Sequence, residues 1–173
     1  MIFLWLAACA SPAGEDTAGA EVVTCDACGG DCVRTTTPNL TRHHVEGDVV
    51  YADEPPSSGD HNPCWASWGA HTEQVAAENW VHNLEHGAVV FLYACPEGCE
   101  ADLAALTGYV ETLPTGRWVL SPYAAAPAAY TVVAWEEKLE LGCLDLDAIG
   151  AFYDAHVGHG PEDTLADPSA ECM

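Results

Sequence analysis

Basic residues are almost missing from this chain. Arg34, Arg42, Arg117 and Lys138 are the only Lys or Arg, against 27 acidic side chains, and the formal net charge is −23. Phosphate recognition needs clustered Lys and Arg, so nucleic acid is excluded as a partner. Long apolar runs are missing too: nothing approaches the roughly 20 residues that a membrane-spanning helix requires. No internal repeat is visible, which argues against a solenoid. The acidic excess reads either as a solvated surface, with its self-repulsion screened in a salty setting, or as a field that concentrates cations near a site.

What is present suits a single domain behind a leader and a linker. The 173 residues are 49% apolar, too many for a disordered chain and enough to build a core. The chain opens with Ile2-Phe3-Leu4-Trp5-Leu6-Ala7-Ala8 and then Cys9. Small residues before a cysteine resemble a lipobox, in which Cys9 becomes lipidated; residues 1–8 are then a shortened signal peptide whose true start lies upstream. Residues 9–24, rich in Ala, Gly, Glu and Asp, are expected to form a flexible tether. Residues 25–173 are expected to form one domain, held at a bacterial cell envelope through the lipid on Cys9. A buried N-terminal strand carrying a structural cysteine is the alternative.

Nine cysteines belong in an oxidising compartment. With Cys9 set aside, Cys25, Cys28, Cys32, Cys64, Cys95, Cys99, Cys143 and Cys172 can pair completely, in a connectivity that spacing does not reveal. The run Cys25-x-x-Cys28-Gly29-Gly30-Asp31-Cys32 admits a metal knuckle as well, but no second C-x-x-C completes a four-cysteine zinc site.

The element pattern predicts an α+β fold: two layers, with a mixed sheet of about four strands and two packed helices. Asp48 to Tyr51 reads as a short strand. A long irregular segment follows from Ser57 to about Ala70, of a kind that is uncommon unless it carries function. Ala88 to Ala94 is an apolar run of strand length, expected to be central. Leu103, Leu106, Tyr109, Val110 and Leu113 recur at helical spacing, behind acidic Glu100 and Asp102. Arg117 to Ser121 and Tyr130 to Glu136 read as strands. Asp145 or Asp147 caps a last helix with Ile149, Phe152, Tyr153 and Val157 on its apolar face.

The chemistry concentrates between His61 and Gly87. His61 closes Ser57-Ser58-Gly59-Asp60-His61, and His82 and His86 flank Asn83-Leu84-Glu85. Imidazole is a common neutral ligand for zinc and copper, and a H-x-x-x-H pair converges on one ion when a single helical turn separates its rings. His61, His82 and His86 are therefore the expected ligands, with Glu85, His44 and His71 as further candidates. Copper is favoured by affinity, with zinc next. Trp65, Trp68 and Trp80 either wall the site or simply pack. The same pentapeptide matches H-x-x-E-H, in which Glu85 would be the general base of a zinc-dependent hydrolase. A structural or interaction module, whose histidines cap loops and pack, is the third reading.

Several separated motifs carry a family resemblance. Pro55-Pro56-Ser57-Ser58-Gly59-x-His61, Trp65 to Gly69, and Val81-His82-Asn83-Leu84-Glu85-His86-Gly87 resemble the bacterial family named domain of unknown function 3105. His44-Val45, Leu120-Ser121-Pro122-Tyr123, Thr131 to Trp135 and Gly160-Pro161-Glu162 continue the match in order. The resemblance implies one exported domain across roughly residues 40 to 163, with His61, His82, Glu85 and His86 as its shared site; it assigns no activity. His71 stands where an aromatic residue is expected in relatives. Cys95-Pro96-Glu97-Gly98-Cys99, between a strand and a helix, resembles the copper-binding loop of Sco-type chaperones, whose fold is thioredoxin-like. Two thiolates one turn apart suit Cu(I), whereas an oxidised pair would be structural.

Overall fold

The computed structural model describes residues 19–37, 41–94 and 98–162. Cys9, Cys95 and Cys172, and the expected signal peptide, lie outside them. Seven strands form one mixed sheet, with three α-helices, so the α+β class holds with more elements than expected. The strands are β1 (Gly19–Cys25), β2 (Gly30–Thr36), β3 (Gly69–Ala70), β4 (Val89–Tyr93), β5 (Trp118–Pro122), β6 (Tyr130–Ala134) and β7 (Glu137–Leu141). The helices are α1 (Ala77–Glu85), α2 (Glu100–Val110) and α3 (Leu146–His156). The sheet runs β1-β2-β7-β6-β4-β5-β3, parallel only where β5 meets β4 and β3. Among the described residues, no helix is long and apolar enough to cross a membrane.

β4 shows why Ala88 to Ala94 is apolar throughout. Val89 and Phe91 face one side, with Leu106 and Val110 of α2 and Ile149 and Phe152 of α3. Val90 and Leu92 face the other, with Trp80, Val81 and Leu84 of α1. Successive strand residues point to opposite faces, so a strand covered on both needs no polar alternation. This corrects the two-layer expectation: α2 and α3 cover one face, and α1 with the irregular segment before it covers the other.

Other expectations shift for physical reasons. Asp48 to Tyr51 is not a strand; no strand lies beside it, and Val50 is 96% exposed. The β1–β2 hairpin begins at Gly19, inside the stretch expected as a tether, and it pairs onto β7. β7 escaped prediction because Glu137-Lys138-Leu139-Glu140-Leu141 is charge-rich, yet Lys138 is buried and its Nζ lies 2.5 Å from Asp53 Oδ2. α1 has six consecutive buried residues, Trp80 to Glu85, among them the polar His82, Asn83 and Glu85.

The cysteine cluster is structural. Cys25 pairs with Cys32 and Cys28 with Cys143, which replaces the metal-knuckle alternative. Cys64 and Cys99 are also disulfide-bonded, so Cys99 offers no free thiolate to a copper loop.

Candidate metal centre

The site grows out of the packing of α1 against the irregular segment before it. Asn79 Nδ2 donates to the Cys64 carbonyl at 2.6 Å. Asn83, fully buried, accepts from Ala66 N–H at 2.8 Å and donates to the Ala66 carbonyl at 3.0 Å. These amides serve main-chain groups of the irregular segment, and with Asn62 N–H on the Glu78 carbonyl at 2.9 Å and Ala66 N–H also directed at the Asn79 carbonyl at 3.3 Å they tie residues 62–66 to the helix. A second chain crossing comes from His44, which forms a parallel bridge with His61; Val45 N–H donates to the His61 carbonyl at 2.8 Å, and His61 N–H to the His43 carbonyl at 3.1 Å.

His44, His61, His82 and Glu85 meet where these pieces converge. One ligand atom from each lies within 4.8 Å of the others. The rings of His61 and His82 are 4.9 Å apart, and His44 stands 5.1 and 4.8 Å from them. In a tetrahedral zinc site with bonds near 2.1 Å, ligand atoms stand about 3.4 Å apart, so small adjustments, with the 2.9 Å His61–Glu85 pair opening slightly, would set this group on one ion. His61, His82 and Glu85 are buried, while the His44 side chain is 35% exposed and forms the open edge.

Tautomers are set from behind. His61 Nδ1 lies 2.9 Å from the Gly59 carbonyl and His82 Nδ1 2.8 Å from the Asn62 carbonyl. A carbonyl only accepts, so each Nδ1 carries the proton and each Nε2 turns toward the cluster. This backing by main-chain oxygen is what orients metal-ligating imidazoles. Glu85 Oε2 lies 2.9 Å from His61 Nε2, but neither atom makes an aligned hydrogen bond. Two buried polar atoms facing each other unsatisfied are costly unless something charged comes between them.

The electrostatics agree. Burial pulls the His82 pKa down to about 4, helped by its histidine neighbours, so the ring is neutral. Burial would raise the Glu85 pKa, yet the close approach and charge of His61 outweigh it and hold Glu85 as a carboxylate. For His61, burial acts downward, but Glu85 and the Gly59 carbonyl together leave its pKa raised.

His86 stands one turn beyond His82, with its Nε2 3.2 Å from His82 Nε2. Together with Glu85 and Glu162 it forms a separate group with ligand atoms within 4.8 Å of one another. Glu162 arrives on the segment after α3, where Gly158 N–H donates to the Gly87 carbonyl at 2.8 Å and Glu162 N–H to the Glu85 carbonyl at 3.0 Å. Gly160 is required there, because a Cβ would collide with the Glu85 carbonyl and the Gly87 nitrogen. His71 sits apart from both groups and pairs with the Ser67 carbonyl at 2.8 Å.

Trp65 lies edge-on to His82 and His86, and Trp135 edge-on to His61. Trp80 packs instead on Tyr123 in the core, and Trp68 lies against that cluster. Sequence reasoning named neither Glu162 nor Arg42 as a site residue, although Arg42 NH1 lies 4.0 Å from both Glu85 Oε1 and Glu162 Oε1. The Gly160-Pro161-Glu162 motif was the available signal for the first. Nothing local marked the second.

The family model described as protein of unknown function (DUF3105) matches residues 44–169, most of the chain. No curated protein and no solved structure matches.

Proposed function

The chain belongs to the DUF3105 family of proteins of unknown function, and we propose that it binds one transition-metal ion through His44, His61, His82 and Glu85. The observation that carries this is the pair of imidazoles whose Nδ1 atoms are anchored on main-chain carbonyls, with His61 Nε2 facing a buried, unsatisfied oxygen of Glu85 and a ring nitrogen of each within 4.8 Å of the other ligand atoms. Copper is favoured and zinc next, since three imidazoles and a carboxylate suit both and affinity ranks copper higher. The exposed edge at His44 lets an ion exchange, which fits metal handling rather than a permanently enclosed structural ion. In this reading the protein is a lipoprotein of the bacterial cell envelope, anchored through Cys9; release of Cys9→Ser protein from the membrane fraction tests that part.

A zinc-dependent hydrolase with Glu85 as base fits less well. Glu85 Oε2 stands 2.9 Å from His61 Nε2, among the ligand atoms and not behind a metal-bound water.

The test is calorimetric titration of the full chain with Cu(II) and with Zn(II). A tight first equivalent is expected, and His61→Ala combined with His82→Ala should remove it while the variant keeps its folded circular-dichroism spectrum. First-equivalent binding that survives the double substitution would overturn the proposal.

A further inference from the structure

The geometry points to a second cation position beside the first, formed by Glu85, His86 and Glu162, with the Glu85 carboxylate bridging the two. This rests on the metal-binding reading above and extends it from one ion to an adjacent pair.

Glu85 belongs to both ligand groups, and its oxygens are turned to different partners. Oε2 faces His61 at 2.9 Å and His44 at 3.8 Å, while Oε1 faces Arg42 at 4.0 Å. The side chain is 2% exposed and Oε2, on the side of the first group, makes no hydrogen bond, so a buried carboxylate with part of its bonding capacity unused stands between the two groups. A carboxylate in that position holds two ions roughly 3.5–4 Å apart. His82 serves the first group and His86 the second; their Nε2 atoms are hydrogen-bonded to each other at 3.2 Å, a contact that two bound ions would replace.

The second position already attracts positive charge. The Arg42 guanidinium lies 4.0 Å from Glu85 Oε1 and 4.0 Å from Glu162 Oε1, spanning the two carboxylates that an ion would use. Its side chain is 46% exposed, and that of Glu162 is 44% exposed, so Arg42 is able to swing into solvent. Arg42 thus acts as a resident counter-cation that an incoming ion displaces. One imidazole and two carboxylates form a harder donor set than the first group, suited to a divalent first-row cation such as Zn(II) or Mn(II) and also accessible to Cu(II).

Stoichiometry tests the inference. Full-chain protein titrated with Zn(II) should take up two equivalents, the second weaker than the first. Glu162→Gln should reduce this to one, with the first equivalent still bound. Arg42→Gln should keep two and tighten the second by about five-fold or more, because a competing charge near 4 Å has gone. The Cu(II)-loaded protein should give the electron paramagnetic resonance spectrum of an exchange-coupled pair, and Glu162→Gln protein that of an isolated ion. A single equivalent in the unmodified chain, with an isolated-ion spectrum, would overturn the second position and leave the first standing. No bound ion at all would sink both readings. A second equivalent weakened by Arg42→Gln would overturn the displacement of Arg42.

Discussion

At the scale of single residues, Asn83 does more for the site than its neighbours in Val81 to Gly87 would suggest. It binds no ligand group; it uses both ends of its amide on the Ala66 main chain while fully buried. That keeps Trp65 against His82 and His86. Removing a buried hydrogen-bonding side chain strands its partners and costs roughly 1–3 kcal/mol. Asn83→Ala is therefore expected to lower stability by about 2–3 kcal/mol in urea denaturation. The emission of the folded variant should also shift to the red as water reaches Trp65. An unfolding midpoint equal to that of the parent would show that Ala66 is held by other means.

Among the elements, α3 is fastened at its start by one carboxylate. Asp145 Oδ1 accepts from Ala148 N–H as the N-cap, and Oδ2 accepts from Ala27 N–H in the short helical turn between β1 and β2. The adjacent Cys28–Cys143 disulfide ties the same two places. The Ala148 N–H above all holds the Asp145 pKa below its usual value; burial opposes it, and the Ala27 and Asp147 N–H groups add to the lowering. A lowered folded-state pKa means that this stabilisation is complete above the unfolded-state pKa and disappears as pH falls through the folded one. Asp145→Ala is expected to cost about 1–2 kcal/mol at neutral pH, the worth of an N-cap. The gap between parent and variant should stay constant down to about pH 5 and close below about pH 4. A gap that is flat across that whole range would show the carboxylate charge to be irrelevant.

For the whole molecule, charge bears on the membrane anchorage proposed above. With four basic residues against 27 acidic ones, the domain gains nothing from anionic headgroups, and long-range repulsion opposes approach. Retention at a bilayer must then come from the lipid proposed on Cys9, with no polybasic segment to help it. The full chain made in a bacterial host is expected to partition into the detergent phase. Cys9→Ser should move it wholly to the aqueous phase at any salt concentration. A Cys9→Ser protein that remained in the detergent phase would rule out the anchor.

The sequence by itself determined the features that depend on local pattern or bulk composition: the α+β class, the buried strand at Val89–Tyr93, the two helices behind it, and the candidate ligands His61, His82 and His86, with Glu85, His44 and His71 as further ones. Periodicity and residue chemistry are properties of a few adjacent positions, and they survive without a fold. The structure alone decided that α1 is a helix, that charged Glu137–Leu141 and exposed Gly19–Cys25 are strands, and that both sheet faces are covered. In each case partners far along the chain override a weak or misleading local signal. The same holds for the ligand set. His44 enters by a strand bridge and Glu162 by a strap anchored on the end of α1, while His71 turns away, although it lies closer in sequence to His61 than Glu162 does. Which atoms share one small volume is set by long-range packing, and spacing along the chain carries no record of it.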